Sequence, residues 1–479
     1  MMANAATDPL WQAKISSEVD RNPQVKSIIE DKCSRCHMGM ARYQAITDIP
    51  PAPVEVLVSG FLDPAHYLHE AAMDGVSCTL CHQIQPDILG TPQSFTGKYV
   101  IDTGTFPPNR LIFGTYDQPR QNPMQRNSGF LPTPGVQLTD SAHCGSCHTL
   151  YTPALDEEGN SLNYEFPEQT TYLEWEHSGL TETCQYCHLP DAVGSVVISN
   201  RPPTLAARTP FGQHHYVGGN SFMVNLLKAN AVDLGVTADA VHFDDTLSRT
   251  LVQLQKDTAV LTARATRTVD NLDSLAVTVD VENLAGHKLP SGLPSRRSWL
   301  HVVVTDAGNK TIFESGRPLA EGRIEGNDAE EPDSRLSYEP HYDTIITADQ
   351  VQIYEPIMLN YEGEVTYTLL RAYSYAKENR LLPAGFDKSS ASGDIAVYGR
   401  AVADENFIDG SDQVAYEINV AGANGRLSIT VELLYQILSY PFVADLANTS
   451  TDLVNRFIDR YNLADNVPVV LDRTQISVR

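Results

Sequence analysis

The sequence predicts an α+β multidomain chain. A helix-and-loop region over residues 1–235 leads through a linking helix over 236–265 to an antiparallel β-sandwich with a C-terminal helix over 266–479. Three observations carry this expectation. All eight cysteines fall before residue 190, in four copies of Cys-x-x-Cys-His. From about residue 266 the apolar residues alternate with period two, the pattern of half-buried strands. No helical stretch separates most of those strands, so they should pair antiparallel in two layers.

Taken in order, Asp8-Pro9 and Asn22-Pro23 are helix starts, a capping side chain followed by a proline that lacks only a donor the first turn leaves unused. The second opens a helix, with Val25, Ile28 and Ile29, that runs toward the first cysteine motif. Asp63-Pro64 predicts another over 64–74, stopped by Gly75. Residues 84–142 are rich in Pro and Gly and hold no long periodic run. Leu247, Leu251, Leu254 and Val260 predict one helix over 236–264. Strands are predicted at 275–281, 299–304, 351–354, 365–369, 414–420 and 427–433, and a last helix at 449–463 on Leu453, Phe457 and Tyr461.

Composition excludes several classes. Acidic residues number 60 against 34 basic, a net charge of −26, so phosphate backbones and anionic membrane surfaces are disfavoured partners. No run of 18 apolar residues exists, so no membrane span is expected. No Ser/His/Asp triad, nucleotide-binding glycine loop or H-E-x-x-H is convincing. Two acidic loops, one at Asn327, Asp328, Glu330, Glu331 and Asp333 and one at Asp404, Glu405, Asp409 and Asp412, lack EF-hand spacing and are expected to be solvated rather than calcium sites.

The cysteine motifs are Cys33-Ser-Arg-Cys36-His37, Cys78-Thr-Leu-Cys81-His82, Cys144-Gly-Ser-Cys147-His148 and Cys184-Gln-Tyr-Cys187-His188. C-x-x-C-H is the attachment signature of c-type haem. A helical turn sets both sulfurs along one haem edge for thioether bonds, and the next residue reaches the iron. Chance predicts about 0.004 such motifs from 8 Cys and 14 His, and four are present. Zinc also uses C-x-x-C but needs no histidine directly after it. A thioredoxin-like motif is normally single. Four haems with iron are therefore expected as cofactors, filling a region too poor in apolar residues to build its own core. No disulfide is expected. Motif spacings of 45, 66 and 40 residues make this a repeat of sites rather than of a solenoid unit. Ala3-Asn4-Ala5 reads as the remnant of a leader cleavage site.

Each iron also needs or lacks a second axial ligand. Ten further histidines are available: His66, His69, His143, His177, His214, His215, His242, His287, His301 and His341. Four are favoured. His69 lies shortly before Cys78, and His177 ends a short helical run at the stop Ser178-Gly179. His214 precedes Gly218-Gly219, which permits close approach to a flat ligand. His287 sits in a stiff loop with Lys288, Arg296 and Arg297, and it is expected to ligate a haem of the N-terminal region while Arg296 and Arg297 pair with propionates. His66 and His143 rank lower, and His301 is expected to be core or surface. Met38, Met40 and Met73 are the rival ligands.

On these residues the chain resembles tetrahaem, or more broadly multihaem, c-type cytochromes with a C-terminal β domain. The likeness rests on the four motifs, on Met38-Gly39-Met40-Ala41-Arg42, Gly75-Val76-Ser77, Thr149-Leu150, His214 with Gly218-Gly219-Asn220, Gly286-His287-Lys288-Leu289-Pro290 with Arg296-Arg297, and Asn379-Arg380 to Asp387-Lys388. It covers nearly the whole chain. The resemblance implies attachment of haem after export and single-electron transfer outside the cytoplasm, in the periplasm or extracellularly. Redox proteins or neighbouring cytochromes are the implied partners. Two alternatives stand beside the carrier: a haem enzyme with one open iron acting on a small nitrogen or sulfur species, and a subunit of an extracellular cytochrome filament assembled through haem-to-haem contacts.

Overall fold

The computed structural model describes residues 2–201, 203–268, 271–330 and 337–479. The chain folds as two compact units, one made of Met1–Leu150, Thr181–Gly218 and Met223–Arg249, the other of Tyr151–Leu180, Gly219–Phe222 and Thr250–Arg479.

In the first unit, α1 (Pro9–Arg21) starts where the Asp8-Pro9 pair predicts, with Asp8 accepting from the backbone N–H groups of Leu10 and Trp11. A 3-10 turn at Pro23–Val25 leads into α2 (Lys26–His37), and α3 (Gly39–Thr47) follows. The helix expected over 64–74 shrinks to α4 (His69–Met73). Asp63 caps only a local turn by accepting from Ala65 N, while Phe61 and Leu62 are tied back to Glu55 and Val56. Those bonds commit the segment to turns before a helix can propagate. Next come α5 (Cys78–Cys81), the parallel pair β1 (Arg110–Gly114) and β2 (Phe130–Pro134) flanking α6 (Gln121–Ser128), and α7 (Ser141–Gly145). The chain then makes β3 (Leu150–Leu155), β4 (Ser161–Gln169) and α8 (Thr171–Glu176) before α9 (Cys184–His188). Two apolar clusters are found here, Leu80 with Ile84, Tyr99 and Ile101, and Val224 with Leu227 and Phe243. Both are small for a unit of this size.

Residues 151–180 pack with the later strands, not with the cysteine motifs as the expected 1–235 region implied. Phe166 of this segment packs with Met358 and Ala372, and ion pairs add to that contact. Glu174 of α8 is buried and bonds Arg380 at 2.7 Å, and its other oxygen accepts from Lys288 N at 3.1 Å. A buried carboxylate is stable only where such partners meet it.

After α10 (Ser221–Ala229), the expected linking helix is α11 (Ala240–Lys256). It ends early, because Val260 lies on β5 (Ala259–Thr268) and not on the helix. That strand pairs β6 (Asn271–Asn283). Then follow β7 (Arg297–Thr305), β8 (Thr311–Ser315), β9 (Thr344–Ile345), β10 (Ile353–Tyr354), β11 (Pro356–Leu359) and β12 (Ser374–Glu378). The chain closes with β13 (Ser411–Asn419), β14 (Leu427–Gln436), α12 (Tyr440–Ala447), α13 (Asp452–Leu463) and β15 (Val469–Val478). One sheet runs β10-β7-β14-β15 with β8 on β7, and another runs β5-β6-β13-β9, antiparallel except for β9 on β13. Leu275, Val277, Val279 and Val281 of β6 and Val414, Tyr416 and Ile418 of β13 are buried on alternate positions, as the period-two pattern requires. The strand expected at 365–369 is a single bridge, Val365 to Leu359, followed by a 3-10 turn. The sequence reading missed β15 altogether. Among the described residues, no helix is long and apolar enough to cross a membrane.

Candidate cofactor site

All four cysteine motifs lie in the first unit, each on a helical turn. His37 ends α2 and His188 ends α9, while His82 and His148 close their turns by donating N–H to Cys78 O and Cys144 O at 3.0 and 2.9 Å. Helical spacing of three puts each cysteine pair on one face. All eight thiols are free of disulfides.

The motifs are drawn together, with the third in the middle. Cys184 N donates to Ser141 Oγ at 3.0 Å, and the Gln185 side chain donates to Asp140 O at 2.7 Å, joining the fourth motif to α7. Gly97 joins the first to the third. Its N–H meets Ser146 O at 2.7 Å, its φ is +66°, and a Cβ there would stand 2.9 Å from Cys36 Sγ. Only glycine fits that approach. Leu80 of the second motif shares its cluster with Cys147.

Electrostatics follow from this crowding. A hydrogen bond with Cys36, then burial, raises the Cys147 thiol well above its ordinary range. A hydrogen bond with Cys184, then burial, does the same to Cys144. Cys184, on the receiving side of that bond, is lowered to about 7, and burial pushes Cys81 up to about 12. Burial lowers His37 to about 4, which keeps its imidazole neutral, the form that binds a metal.

The ring hydrogen bonds test whether these residues fit haem iron. His37 Nδ1 bonds Ala5 O at 3.0 Å, His82 Nδ1 bonds Phe113 O at 2.7 Å, and His188 Nδ1 bonds Val217 O at 2.7 Å. A carbonyl can only accept, so each Nδ1 carries the proton and Nε2 keeps its lone pair. That is how a metal-ligating histidine is oriented. The donor set fits.

The histidines expected opposite them divide. His69, at the start of α4, bonds Phe61 O through Nδ1 at 2.9 Å and matches the same pattern. His287 bonds Lys288 O through Nδ1 at 3.0 Å. His214 lies near His82, their ring centroids 6.2 Å apart and their planes at 28°. His177 caps the end of α8 as expected, but its Nε2 bonds Asp387 O at 3.0 Å and its ring lies edge-on to Phe386. The nitrogen expected to ligate is thus the one in use. His301 is held through both nitrogens by Glu432 and Glu314, each at 3.1 Å. His143 was ranked low, yet its Nδ1 is buried without a hydrogen-bond partner, and burial followed by the nearby His82 lowers its pKa to about 4.

The expectation for Arg297 is overturned. Its side chain is fully buried at the head of β7, bonded to Glu330 at 2.5 Å, Gly322 O at 2.7 Å and Gln436 at 2.9 Å. All three of its nitrogens are engaged and its side chain is fully buried, which bars access to a propionate. Lys288 is likewise buried against Glu378 and Ala396 O. Arg296 is half-buried and folds one nitrogen onto Ser291 O at 2.6 Å.

Sequence reasoning also missed a buried cluster of His341, Asp404 and Asp412 in the second unit. Asp404 and Asp412 are buried, not solvated as expected. Glu331 and Asp333 of the other acidic loop lie outside the described residues. Hydrogen bonds occupy His341 and Asp404, while Asp412 Oδ1 is buried without a hydrogen-bond partner. The amides of Gln352 and Asn379 both donate to His341 Nδ1, their own oxygens accepting from Tyr342 N and Glu355 N. The His341 proton therefore sits on Nε2, donated to Asp404 at 3.0 Å. The Lys388 ammonium already donates to the backbone oxygens of Asp404 and Ala401.

No protein-family model matches the chain, and a search of curated proteins finds none that matches. Among solved structures, the chain is similar to a penta-heme cytochrome c552 from Thermochromatium tepidum, with 15% identity over 93% of this chain and 83% of that one, at a TM-score of 0.50. At that identity the likeness is one of fold.

Proposed function

We propose that the chain is an exported c-type cytochrome that carries single electrons through four covalently bound haems. The observation that carries this reading is the gathering of four Cys-x-x-Cys-His turns in one unit, with three of the four motif histidines turned by a backbone carbonyl to offer Nε2. Cys33, Cys36, Cys78, Cys81, Cys144, Cys147, Cys184 and Cys187 would form the thioethers, and His37, His82, His148 and His188 the proximal bonds. Bound haem supplies a reversible one-electron couple whose potential follows axial ligand and burial. The polypeptide fixes the ring tautomers and holds the four sites side by side. His69, His214 and His287 are the proposed second ligands, and Arg296 keeps nitrogens for a propionate. His177 would ligate only after releasing Asp387 O.

The two larger sheets of the second unit are read as the faces of an antiparallel β-sandwich. The proposed setting is the periplasm or the cell exterior. A net charge of −26 favours redox partners that present a basic face.

Maturation in a host competent for cytochrome c assembly tests the reading. The intact mass should exceed the bare polypeptide by four haems, and the visible spectrum should be low-spin throughout. Colourless protein of bare mass would overturn it. A high-spin band that shifts with CO or nitrite would instead favour the enzyme with one open iron.

A further inference from the structure

Resting on the haem reading above, we infer that His214 is the second axial ligand of the iron held by Cys78, Cys81 and His82, with the His82 and His214 planes nearly parallel.

The separation of the rings and their anchoring carry the assignment. A metal–imidazole bond is about 2.0 Å and a ring centroid lies about 1.2 Å from its nitrogen, so imidazoles on opposite faces of one iron stand about 6.4 Å apart. His82 and His214 are 6.2 Å apart. Face-stacked rings come closer, as Trp11 and His37 do at 4.5 Å and 7°, while offset pairs such as Tyr43 and Tyr99 stand 5.6 Å apart, so the separation takes its weight from the bonds that anchor His82 and the His214 strap. Rings that meet edge to face are near perpendicular, whereas these planes differ by only 28°. Axial ligation needs a centroid separation of about 6.4 Å and leaves the angle between the two ring planes free.

Both rings are anchored from behind. His82 and Phe113 exchange two bonds, His82 Nδ1 to Phe113 O and Phe113 N to His82 O, each 2.7 Å. The His214 ring stands edge-on to Tyr216 at 5.6 Å and 76°. The segment bearing His214 is itself strapped to the fourth motif. Tyr216 N donates to His188 O at 2.9 Å, and His188 Nδ1 donates to Val217 O. Gln213 N bonds Pro190 O, and Gly212 bridges Asp191. Tyr216 holds a left-handed φ of +47°, uncommon for a bulky residue, at the point where the strap turns between His214 and Val217. Such strain persists where surrounding bonds dictate it, and here they aim one residue at each of two motifs.

A double-variant cycle on the matured protein tests the pairing. His214→Ala should convert one haem of four to high spin, read by electron paramagnetic resonance and near-infrared magnetic circular dichroism. The low-spin signal lost should be the rhombic type of near-parallel imidazoles. In a Cys78→Ala/Cys81→Ala background, which carries three haems by mass, His214→Ala should produce no further high-spin haem. An unchanged spectrum in the first case, or a new high-spin signal in both backgrounds, overturns the pairing. His214→Met guards against misfolding: it should leave the haem count at four and raise one potential, since Met/His ligation lies above bis-His. Four unshifted potentials would also overturn it. Bare polypeptide mass in the parent protein would instead fail the haem reading itself.

Discussion

Glu339 holds a carboxyl in a fully buried place, accepting from Val351 N at 3.1 Å and Asp328 N at 3.2 Å. Burial, which these bonds offset only in part, raises its pKa to about 7. The folded state then binds more protons than the unfolded one between about pH 4.5 and 7, so stability should fall as pH rises through that window. The loss should be on the order of 3 kcal/mol across the window, and Glu339→Gln should flatten it. Urea midpoints of the second unit at pH 5 and 8 read the effect, and a parent midpoint independent of pH would refute it. The same scale shows where sequence reading stops. Arg297 was legible as a cation but not as a buried one, because its partner Glu330 lies 33 residues away and nothing local marks the pairing. His177 was correctly seen at a helix end, yet the carbonyl of Asp387 that claims its ring is 210 residues distant.

Strands and helices were legible wherever packing is one-sided. The strands β6 and β13, the second half of β7 and the first half of β14 alternate clearly because one face of each is buried. The start of β5 was absorbed into a helix although Val260, nine residues after Leu251, falls on the opposite side of a helix, so nothing in the spacing beyond Leu254 supports a helical face. The membership of 151–180 was hidden, since it depends on the packing of Phe166 and the ion pairs of α8 and not on composition. Those pairs give an element-level expectation. A fragment of residues 250–479 lacks Glu174, which leaves Arg380 only Glu378 and strips the buried Lys288 N–H of its acceptor, and breaking a buried pair costs about 3–5 kcal/mol. Joining 151–180 to it through a flexible linker should restore a cooperative thermal transition. Equal melting temperatures for the two fragments would reject the account.

For the whole molecule, the two units differ in what holds them. The second buries the inward faces of its long strands, with Trp299, Ile324, Val351, Ile353 and Leu434 in one of its clusters. In the first, small apolar clusters lie beside four Cys-x-x-Cys-His turns. Replacing all eight cysteines by alanine should therefore free much of the first unit while the second stays folded. Hydrogen exchange reads this directly: amides of 26–47 and 78–148 should exchange fast, and those of β6, β7, β13 and β14 should stay protected. Uniform protection across the chain would show that the first unit needs no haem to fold.

The strap between residues 188 and 217 bears on biogenesis. A chain that emerges N-terminus first presents Cys78 to His82 long before His214, some 132 residues later. On the proposed pairing, the second iron keeps one face uncovered until the exported chain folds and the histidine of the fourth motif grips Val217. A chain truncated short of that point would, once exported and loaded with haem, leave a coloured but half-coordinated product, vulnerable to oxygen and to exogenous ligands. Completion of the last attachment turn would thus double as the signal that seals an earlier one.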